Sequence, residues 1–224
     1  MNQAARVRLF VFLGVVAIVI VLMVGVAVVF GGGNTVPSGT GGARLEEGKR
    51  YTTDDFKPSF SFEVGEDWTT AGPEFRDILD IRQGPLTLAF LNVEEVFHAS
   101  TTRETDRMPA PKDMVRWFQQ HPYLETEEPE PVTIGGAKGV YFDVVVTDLP
   151  EGYHSICGRP SVNLIGLSGG DVWCVLEEEK DRVIVLEGVE GETVTIMFGG
   201  PAVDFEEFLP KAQKVLDTVE WEGV

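Results

Sequence analysis

The segment Ser59-Phe60-Ser61-Phe62-Glu63-Val64 alternates polar and apolar side chains without a break, and Gly65-Glu66-Asp67-Trp68 comes after it as a turn. Alternation of this kind puts every second side chain on the same face of an extended chain. The segment therefore predicts a β-strand with one buried face, bounded by a turn. The domain that contains it should be built on a β-sheet.

Four further pairs of apolar runs lie on either side of short turns. They are 77–82 with 86–97, 131–134 with 140–147, 161–167 with 172–176, and 183–186 with 193–198. These connections are too short to hold a crossover helix, so the sheet should be largely antiparallel. Runs such as Val183-Ile184-Val185-Leu186 do not alternate, which predicts strands that are covered on both faces.

Two helical patterns can supply this cover. The first spans about 111–120, where the apolar stripe includes Met114 and Phe118, and Pro122 ends it. The second runs from about 204 to 218 with apolar residues at helical spacing, and Pro210 should kink it or mark its first turn. The predicted fold class is α+β: a largely antiparallel β-sheet covered by two helices, as an α/β/α sandwich.

The two ends of this pattern resemble a known group of domains. The strand that runs into Gly65-Glu66-Asp67-Trp68, and the closing helix that runs into Val215-Leu216-Asp217-Thr218-Val219-Glu220-Trp221, are similar to the opening and the close of Mog1/PsbP-like domains. The resemblance covers most of 50–222. It implies an antiparallel sheet between helices, in a binding or assembly module without catalysis of its own, and it transfers no functional residue. The chain departs from the lipid-anchored members of the group, because it has an apolar span and no anchoring cysteine.

The N-terminal run 9–30 has no charged, amide or hydroxyl side chain. Its 22 residues would reach about 33 Å as a helix, enough to cross a hydrocarbon core of about 30 Å. A cleaved signal peptide is the alternative, but its apolar region is typically about 7–15 residues long. Arg6 and Arg8 predict a cytoplasmic N-terminus at 1–8 and export of the chain beyond the apolar run. We expect one transmembrane helix in the cell membrane, a flexible linker at 31–44 and an acidic extracytoplasmic domain at 45–224.

Charge divides the chain into two parts. Residues 1–44 hold three of the 18 basic residues and none of the 36 acidic ones, so 45–224 carries 15 basic against 36 acidic side chains, a net charge of −21. A domain this negative repels nucleic acid and anionic lipid surfaces. We therefore expect no nucleic-acid partner, and contact with the membrane only through the N-terminal helix.

Cysteine occurs twice, as Cys157 and Cys174. In an exported domain the two thiols should form a disulfide, and closing a loop of this length adds on the order of 3 kcal/mol. A pair of free buried thiols stays open as the alternative. The spacing is not that of a C-x-x-C redox motif, and the sequence offers no zinc ligands nearby.

Two motifs resemble catalytic or nucleotide-binding loops. Gly166-Leu167-Ser168-Gly169-Gly170 has the G-x-S-x-G pattern of serine hydrolases, but a strand pattern comes after it where those enzymes have a helix. The three histidines, His98, His121 and His154, all precede Ser168, whereas the hydrolase histidine lies after the nucleophile. Gly135-Gly136-Ala137-Lys138-Gly139 resembles a phosphate loop, yet it also runs into a strand. Both motifs are predicted to be turns.

The sequence predicts no metal site and no cofactor. The histidines are scattered, and the acidic pairs lack the alternating ligands of a calcium loop. We interpret the acidic pairs as solvated surface charge, with weak binding of divalent cations as the alternative.

One basic group interrupts the acidic domain and consists of Arg103, Arg107, Lys112 and Arg116. In one interpretation these side chains form ion pairs with the neighbouring acids. In the other, they form with Met108 the edge of a surface that binds a protein partner.

These patterns favour a membrane-anchored, extracytoplasmic module that is not an enzyme and that binds or assembles another exported or membrane protein. The alternative is an exported domain that binds a small apolar molecule or lipid between the sheet and the helix at 111–120. Trp117, Phe118 and Tyr123 supply aromatic surface there. A hydrolase is the third hypothesis.

Overall fold

The computed structural model describes residues 34–37, 41–99, 106–151, 153 and 155–223. The predicted transmembrane helix at 9–30, Arg103 and His154 lie outside the described residues. Within the described ranges, none of the helices has the length and the apolar character needed to cross a membrane.

The described part of the chain contains sixteen strands, two α-helices and one 3-10 turn at Ser168–Gly170. The first eight strands are β1 (Asn34–Thr35), β2 (Arg50–Thr52), β3 (Phe60–Glu63), β4 (Thr69–Thr70), β5 (Ile78–Gln83), β6 (Leu86–Asn92), β7 (Glu95–Phe97) and β8 (Arg107–Pro109). The other eight are β9 (Leu124–Thr126), β10 (Glu130–Ile134), β11 (Ala137–Val146), β12 (Ser161–Gly166), β13 (Val172–Leu176), β14 (Glu179–Val189), β15 (Glu192–Pro201) and β16 (Glu220–Trp221). The helices are α1 (Met114–Gln119) and α2 (Phe205–Leu216).

These strands form one large sheet and two small ones. The central sheet has the order β10-β11-β14-β15-β6-β5-β4, and β9 pairs with the far end of β11. The first small sheet has the order β1-β2-β3-β16, and the second small sheet has the order β13-β12-β7-β8. Within the described residues, every strand pair is antiparallel except β1 with β2. The predicted, largely antiparallel sheet is confirmed.

Alternate residues of the central strands belong to two separate hydrophobic cores. In β15, Ile196 and Phe198 belong to one core, whereas Met197 belongs to the other. Because successive side chains of a strand point to opposite faces, the two cores lie on opposite faces of the central sheet. This explains why the run 183–186 does not alternate, since both of its faces are buried.

The first of the two, the aromatic core, is covered by α2 and the first small sheet. Its large rings are Tyr51, Phe56, Phe60, Phe62, Trp68, Phe90, Phe198, Phe208 and Trp221. The centre of the Phe60 ring lies 4.4 Å from that of Phe90 and 4.9 Å from that of Trp221. The two segments that carry the Mog1/PsbP-like resemblance meet here, because β16 pairs with β3 and Trp221 lies opposite Phe60.

The second, the aliphatic core, is covered by α1 and the second small sheet. Most of its members are branched side chains, among them Leu91, Val96, Val144, Val162, Leu164, Ile165, Val175, Val183 and Val185. Each face of the central sheet is thus covered by one helix and one small sheet. The structure therefore differs from the predicted α/β/α sandwich, because a small sheet lies beside the helix on each face of the central sheet.

Both predicted helices are present with shifted ends. α1 begins at Met114 and not near Pro111, because the Asp113 side chain accepts a hydrogen bond from the Arg116 amide at 2.9 Å and caps the helix there. α2 runs from Phe205 through Pro210 to Leu216, and its buried face packs into the aromatic core.

The two glycine motifs are turns between antiparallel strands, as predicted. The segment 166–170 leads from β12 into β13, so a strand comes after Ser168. Gly135 and Gly136 connect β10 to β11 and have φ angles of 55° and 88°, in the left-handed region that favours glycine. Neither motif has the strand-to-helix geometry of the proteins that it resembles.

Part of the expected linker belongs to the folded domain. Asn34–Thr35 pair with β2, and the Val36 amide donates a hydrogen bond to the Thr52 carbonyl at 3.2 Å. The Val36 side chain is buried in the aromatic core. A buried apolar side chain and a paired backbone offset the loss of conformational freedom, so these residues of 31–44 are ordered parts of the first small sheet.

Candidate functional site

The predicted basic surface contains residues in different environments, and Arg103 lies outside the described residues. Arg107, in β8, pairs with the Glu95 carboxylate at 3.6 Å. Its guanidinium lies 5.1 Å from the centre of the Phe97 ring. These contacts fit the ion-pairing interpretation for Arg107.

Lys112 lies just before α1 and Arg116 lies within it, and both side chains are exposed. Among the described residues, neither side chain forms an ion pair. Met108 is half-buried against the aliphatic core. The partner surface stays a prediction, and its exposed charges are those of Lys112 and Arg116.

The space between α1 and the central sheet is filled by the chain's own side chains. Met114 and Phe118 are buried, and the centre of the Phe118 ring lies 5.8 Å from that of Phe142. Leu124 and Val144 are buried in the same core. The position expected for an apolar ligand is therefore occupied by the aliphatic core.

His121 lies just after α1 and has 4% of its surface exposed. Its Nδ1 accepts a hydrogen bond from the Tyr123 amide at 3.3 Å, and its Nε2 has no partner in the described part of the chain. Burial lowers the pKa of His121 to about 4, so the ring is neutral at neutral pH. No group of three or more His, Cys, Asp or Glu side chains within the described ranges could hold a metal ion.

Cys157 and Cys174 form a disulfide, as the sequence predicts. It joins the loop before β12 to strand β13, across a sequence separation of 17 and a Cα–Cα distance of 6.6 Å. Asn163 of β12 supports this loop, because its Oδ1 accepts hydrogen bonds from the Ser155 hydroxyl at 2.9 Å and the Ile156 amide at 3.1 Å. The disulfide and these hydrogen bonds therefore hold the loop before β12 in place against β12 and β13.

That surface includes a cleft of about 270 Å³, which we call the disulfide cleft. It lies where β13 approaches one end of the central strands β14 and β15. Besides the two cysteines, the side chains that line it include Arg82, Thr87, Trp173, Leu176, Glu179 and Asp181. Apolar walls with a small number of polar groups are typical of ligand sites.

Asp181 is the buried polar residue of the cleft, with 4% of its surface exposed. It shares one face of β14 with Val183 and Val185, so its carboxyl lies on the aliphatic side of the sheet. Gly199 lies opposite it on β15, and a Cβ atom at position 199 would overlap the carboxyl. The glycine thus leaves the space that the Asp181 carboxyl occupies.

The Asp181 carboxyl has an unusual electrostatic environment. Among the described residues, no hydrogen bond and no cationic side chain stabilises its charged form. Burial raises the pKa of Asp181 to about 8, and the nearby Glu179 charge contributes to the rise. At neutral pH, Asp181 is therefore a neutral acid.

The two arginines that line the cleft act on other groups. Arg159 forms an ion pair with Glu178. Burial raises the pKa of Asp80, and the charge of Arg82 opposes this rise. Neither arginine stabilises the charged form of Asp181.

Asp143 is equally buried and shows the opposite environment. Arg182 donates hydrogen bonds to its two oxygens at 2.6 and 3.1 Å, and the Lys180 ammonium lies at 2.8 Å. Burial alone would raise the pKa of Asp143, but the hydrogen bonds from these two side chains lower it overall. Asp143 is an ionised structural group, whereas Asp181 lines an open cleft and has no partner among the residues that the structure describes.

Sequence reasoning identified the disulfide but neither the cleft nor Asp181. The strand pattern did contain a signal for Asp181. This residue occupies the same face as Val183 and Val185, at a position that should be apolar. Trp173, which lines the cleft, belongs to β13 of the second small sheet. No local sequence pattern predicts that β13 approaches the central strands.

Comparisons with known proteins add little to this description. No protein-family model matches the chain, and no curated protein is significantly similar to it. A crystal structure of a protein from Bacteroides thetaiotaomicron VPI-5482 is similar over 74% of this chain, with 12% identity and a TM-score of 0.36. The chain covers 46% of that protein's length, which is less than half. The solution structure of cyanobacterial PsbP (CyanoP) from Synechocystis sp. PCC 6803 is similar over 82% of this chain and 98% of that one, with 15% identity and a TM-score of 0.39.

Proposed function

We propose that this chain is a membrane-tethered module without catalytic activity, which binds another exported or membrane protein on the outer side of a membrane. The observation that carries the proposal is the disulfide between Cys157 and Cys174. Disulfides persist in oxidising compartments and are rare in the cytosol. The pairing therefore supports export of the domain, and the apolar run 9–30 offers a means to hold it at the membrane.

The charge of the domain fits this position. A net charge of −21 over 45–224 keeps the domain away from anionic lipid surfaces and from nucleic acid. The exposed charges of Lys112 and Arg116 are a local exception. We assign the partner contact to this side of the domain, with Met108 beside it.

The Mog1/PsbP-like resemblance of 60–68 and 215–221 supports the same function. Members of that group act mainly as binding or assembly modules. The two segments are neighbours in the first small sheet, where β3 and β16 pair. A fold of this type fits the proposal of a rigid scaffold that presents a binding surface.

Protease added to intact cells tests the topology. An exported domain should be degraded, while a cytoplasmic marker protein stays whole. A thiol reagent that does not cross membranes should label Cys157 and Cys174 only after reduction. Protection of the domain in intact cells would overturn the proposal.

Cross-linking on cells, followed by purification through a C-terminal tag, tests the partner contact. We expect one exported or membrane protein in stoichiometric yield. The double variant Lys112→Glu/Arg116→Glu should lower that yield by about tenfold, because it reverses both exposed charges of the assigned surface.

The matched control is Lys138→Glu/Lys214→Glu, which reverses two exposed charges on other elements. It should leave the yield unchanged. Equal yields from the two double variants, or no stoichiometric partner from the wild-type chain, would contradict the assignment.

A further inference from the structure

We propose that the disulfide cleft binds an organic ammonium group between the carboxyls of Asp181 and Glu179. This inference rests on the proposed function, because it names a chemical group that the binding module recognises. A lysine side chain of a protein and a free alkylamine both carry this group.

The two carboxyls are placed to share one cation. Residues two apart in a strand project to the same face, and their Cα atoms are about 7 Å apart. Both residues line the cleft, and the charge of Glu179 acts on Asp181. An ammonium nitrogen has three N–H donors, so it can donate to both carboxyls at once.

The charges at the cleft favour a cation once Asp181 is ionised. Its charged groups are Arg82 on β5, Arg159 in the loop before β12, and Glu179 and Asp181 on β14, with Glu178 paired to Arg159. A buried carboxyl without a partner is costly to ionise, and an entering cation removes much of that cost. Asp181 then changes from a neutral acid into an ionised partner.

The walls of the cleft suit the rest of an alkylammonium ligand. Trp173 and Leu176 line the cleft together with the two carboxyls. A tryptophan face attracts a cation within about 6 Å, and apolar side chains cover a methylene chain. A water molecule occupies about 30 Å³ in the liquid, so a cleft of about 270 Å³ has room for an amine with several carbons.

An anion fits this site less well. It would lie against the Glu179 carboxylate. Of the two cleft arginines, Arg159 is already paired with Glu178, which leaves Arg82 as the one without an ion pair among the described residues. The net charge of −21 over 45–224 also repels an anion before contact.

Isothermal titration calorimetry of the full chain in non-ionic detergent tests the proposal, with n-butylammonium as the probe. Binding should tighten as the pH rises from about 6 to about 8, because Asp181 must release its proton while the amine stays charged. Pentan-1-ol is a neutral molecule of similar length. It should bind about tenfold more weakly at the higher pH.

Two variants separate the contributions of the carboxyls. Asp181→Asn should weaken n-butylammonium binding by about tenfold or more and remove its pH dependence. Glu179→Gln should weaken it less, since Glu179 is less buried. Asp181→Asn removes an unpaired acid and should fold, which a melting curve verifies. Glu192→Gln changes an exposed residue at the opposite end of the β14–β15 hairpin and should bind like the wild type.

A second probe identifies the source of the ammonium group. Tighter binding of Nα-acetyl-lysine methylamide than of n-butylammonium assigns the group to a protein lysine, and an equal or weaker affinity assigns it to a free alkylamine. Absence of binding by both probes, or binding that Asp181→Asn leaves unchanged, overturns the proposal. The protease and cross-linking experiments do not depend on this result, so the proposed function is judged separately.

Discussion

The aromatic core and the aliphatic core lie on opposite faces of one central sheet, yet the polar groups near them are satisfied to different degrees. At the aromatic core, the Trp221 indole donates to the Ile134 carbonyl at 3.0 Å. Glu74 accepts hydrogen bonds from the amides of Asp55 and Phe56 at 2.9 and 2.8 Å. Near the aliphatic core, four buried polar atoms have no partner in the described part of the chain: His121 Nε2, Asn163 Nδ2, Trp173 Nε1 and Thr195 Oγ1. On the aromatic side of β5, Gln83 Oε1 also has none there.

Asp143 on β11 and Asp181 on β14 repeat this contrast on neighbouring strands. Asp143 shares the aromatic side with Arg182 and is fully paired, whereas Asp181 lies on the aliphatic side and has no cationic partner within the described ranges. Unsatisfied buried polar groups are uncommon in folded proteins, and local rules are most often broken at functional sites. The aromatic side therefore mainly stabilises the fold, and the aliphatic side carries the candidate site.

The largest expected effect is the loss of a ring from the aromatic core. Phe60→Ala should lower the free energy of unfolding by about 3–5 kcal/mol, because Phe60 is fully buried between the rings of Phe90 and Trp221. Phe118→Ala in the aliphatic core should cost less, since Phe118 pairs with two rings and Phe60 with four, and each aromatic pair adds about 0.5–1.5 kcal/mol beyond burial. Urea denaturation measures both. A greater loss for Phe118→Ala would contradict the contrast between the cores, and Val203→Ala, at a position 90% exposed, should change nothing.

The next effect compares the two aspartates with one type of substitution. Asp143→Asn should cost about 3 kcal/mol at neutral pH, because it leaves Arg182 beside a buried neutral group. Asp181→Asn should be neutral or stabilising, since no cation loses a partner. Urea denaturation of the two variants provides the comparison. Equal losses would show that Asp181 also has a stabilising partner.

The same two residues should give opposite pH dependences. The pKa of Asp181 is raised from 3.8 to about 8, so between these values the unfolded chain is ionised while the folded chain keeps the proton. Its contribution to stability therefore decreases as the pH rises through this range. The pKa of Asp143 is lowered, so its contribution is present above its ordinary pKa and is lost as the pH falls through the folded value. Asp181→Asn should flatten the decline between about pH 4 and about pH 8 in urea midpoints, and an unchanged slope would argue against the raised pKa.

Much of this architecture is encoded in local sequence patterns. The alternating segment 59–64, the glycine turns and the helical stripes predict β3, the hairpins and both helices, because neighbouring residues decide these elements. The disulfide is expected from composition and the predicted compartment. The start of α1 differs from the prediction because the cap at Asp113 overrides the apolar stripe.

The division into three sheets and the cleft could not be predicted in this way. β12 and β13 lie outside the central sheet, and β12 pairs with β7, whose residues precede it by more than sixty positions in the sequence. Pairing over that distance depends on how whole faces are buried, which no short window contains. Asp181 is detectable in the sequence as a polar residue at an apolar position. Its role as a cleft residue depends on Gly199 and on β13 of the second small sheet, which the sequence pattern does not place beside it.

Removal of the disulfide should loosen the aliphatic side selectively. Cys157→Ser/Cys174→Ser should lower the free energy of unfolding by about 3 kcal/mol, because the unfolded chain regains the freedom of the closed loop. Amide hydrogen exchange should accelerate more in β12 and β13 than in β3, which belongs to the other side of the central sheet and exchanges faster only through global unfolding. Treatment of this variant with a reductant should have no further effect. Equal acceleration in β3 would show that the two sides open together.

The smallest effect concerns the space beside Asp181. Gly199→Ala should cost about 1–3 kcal/mol, because the added Cβ would overlap both the Asp181 carboxyl and the Lys180 carbonyl. The carboxyl belongs to a side chain that can turn, but the carbonyl belongs to the paired backbone of β14 and cannot move alone. Gly65→Ala is the control, since nothing lies within 4 Å of its added Cβ, and it should be neutral or stabilise by about 0.4–1 kcal/mol. Equal stability of Gly199→Ala and the wild-type chain would mean that β15 can move away from β14, and the close approach of these strands would then not account for glycine at position 199.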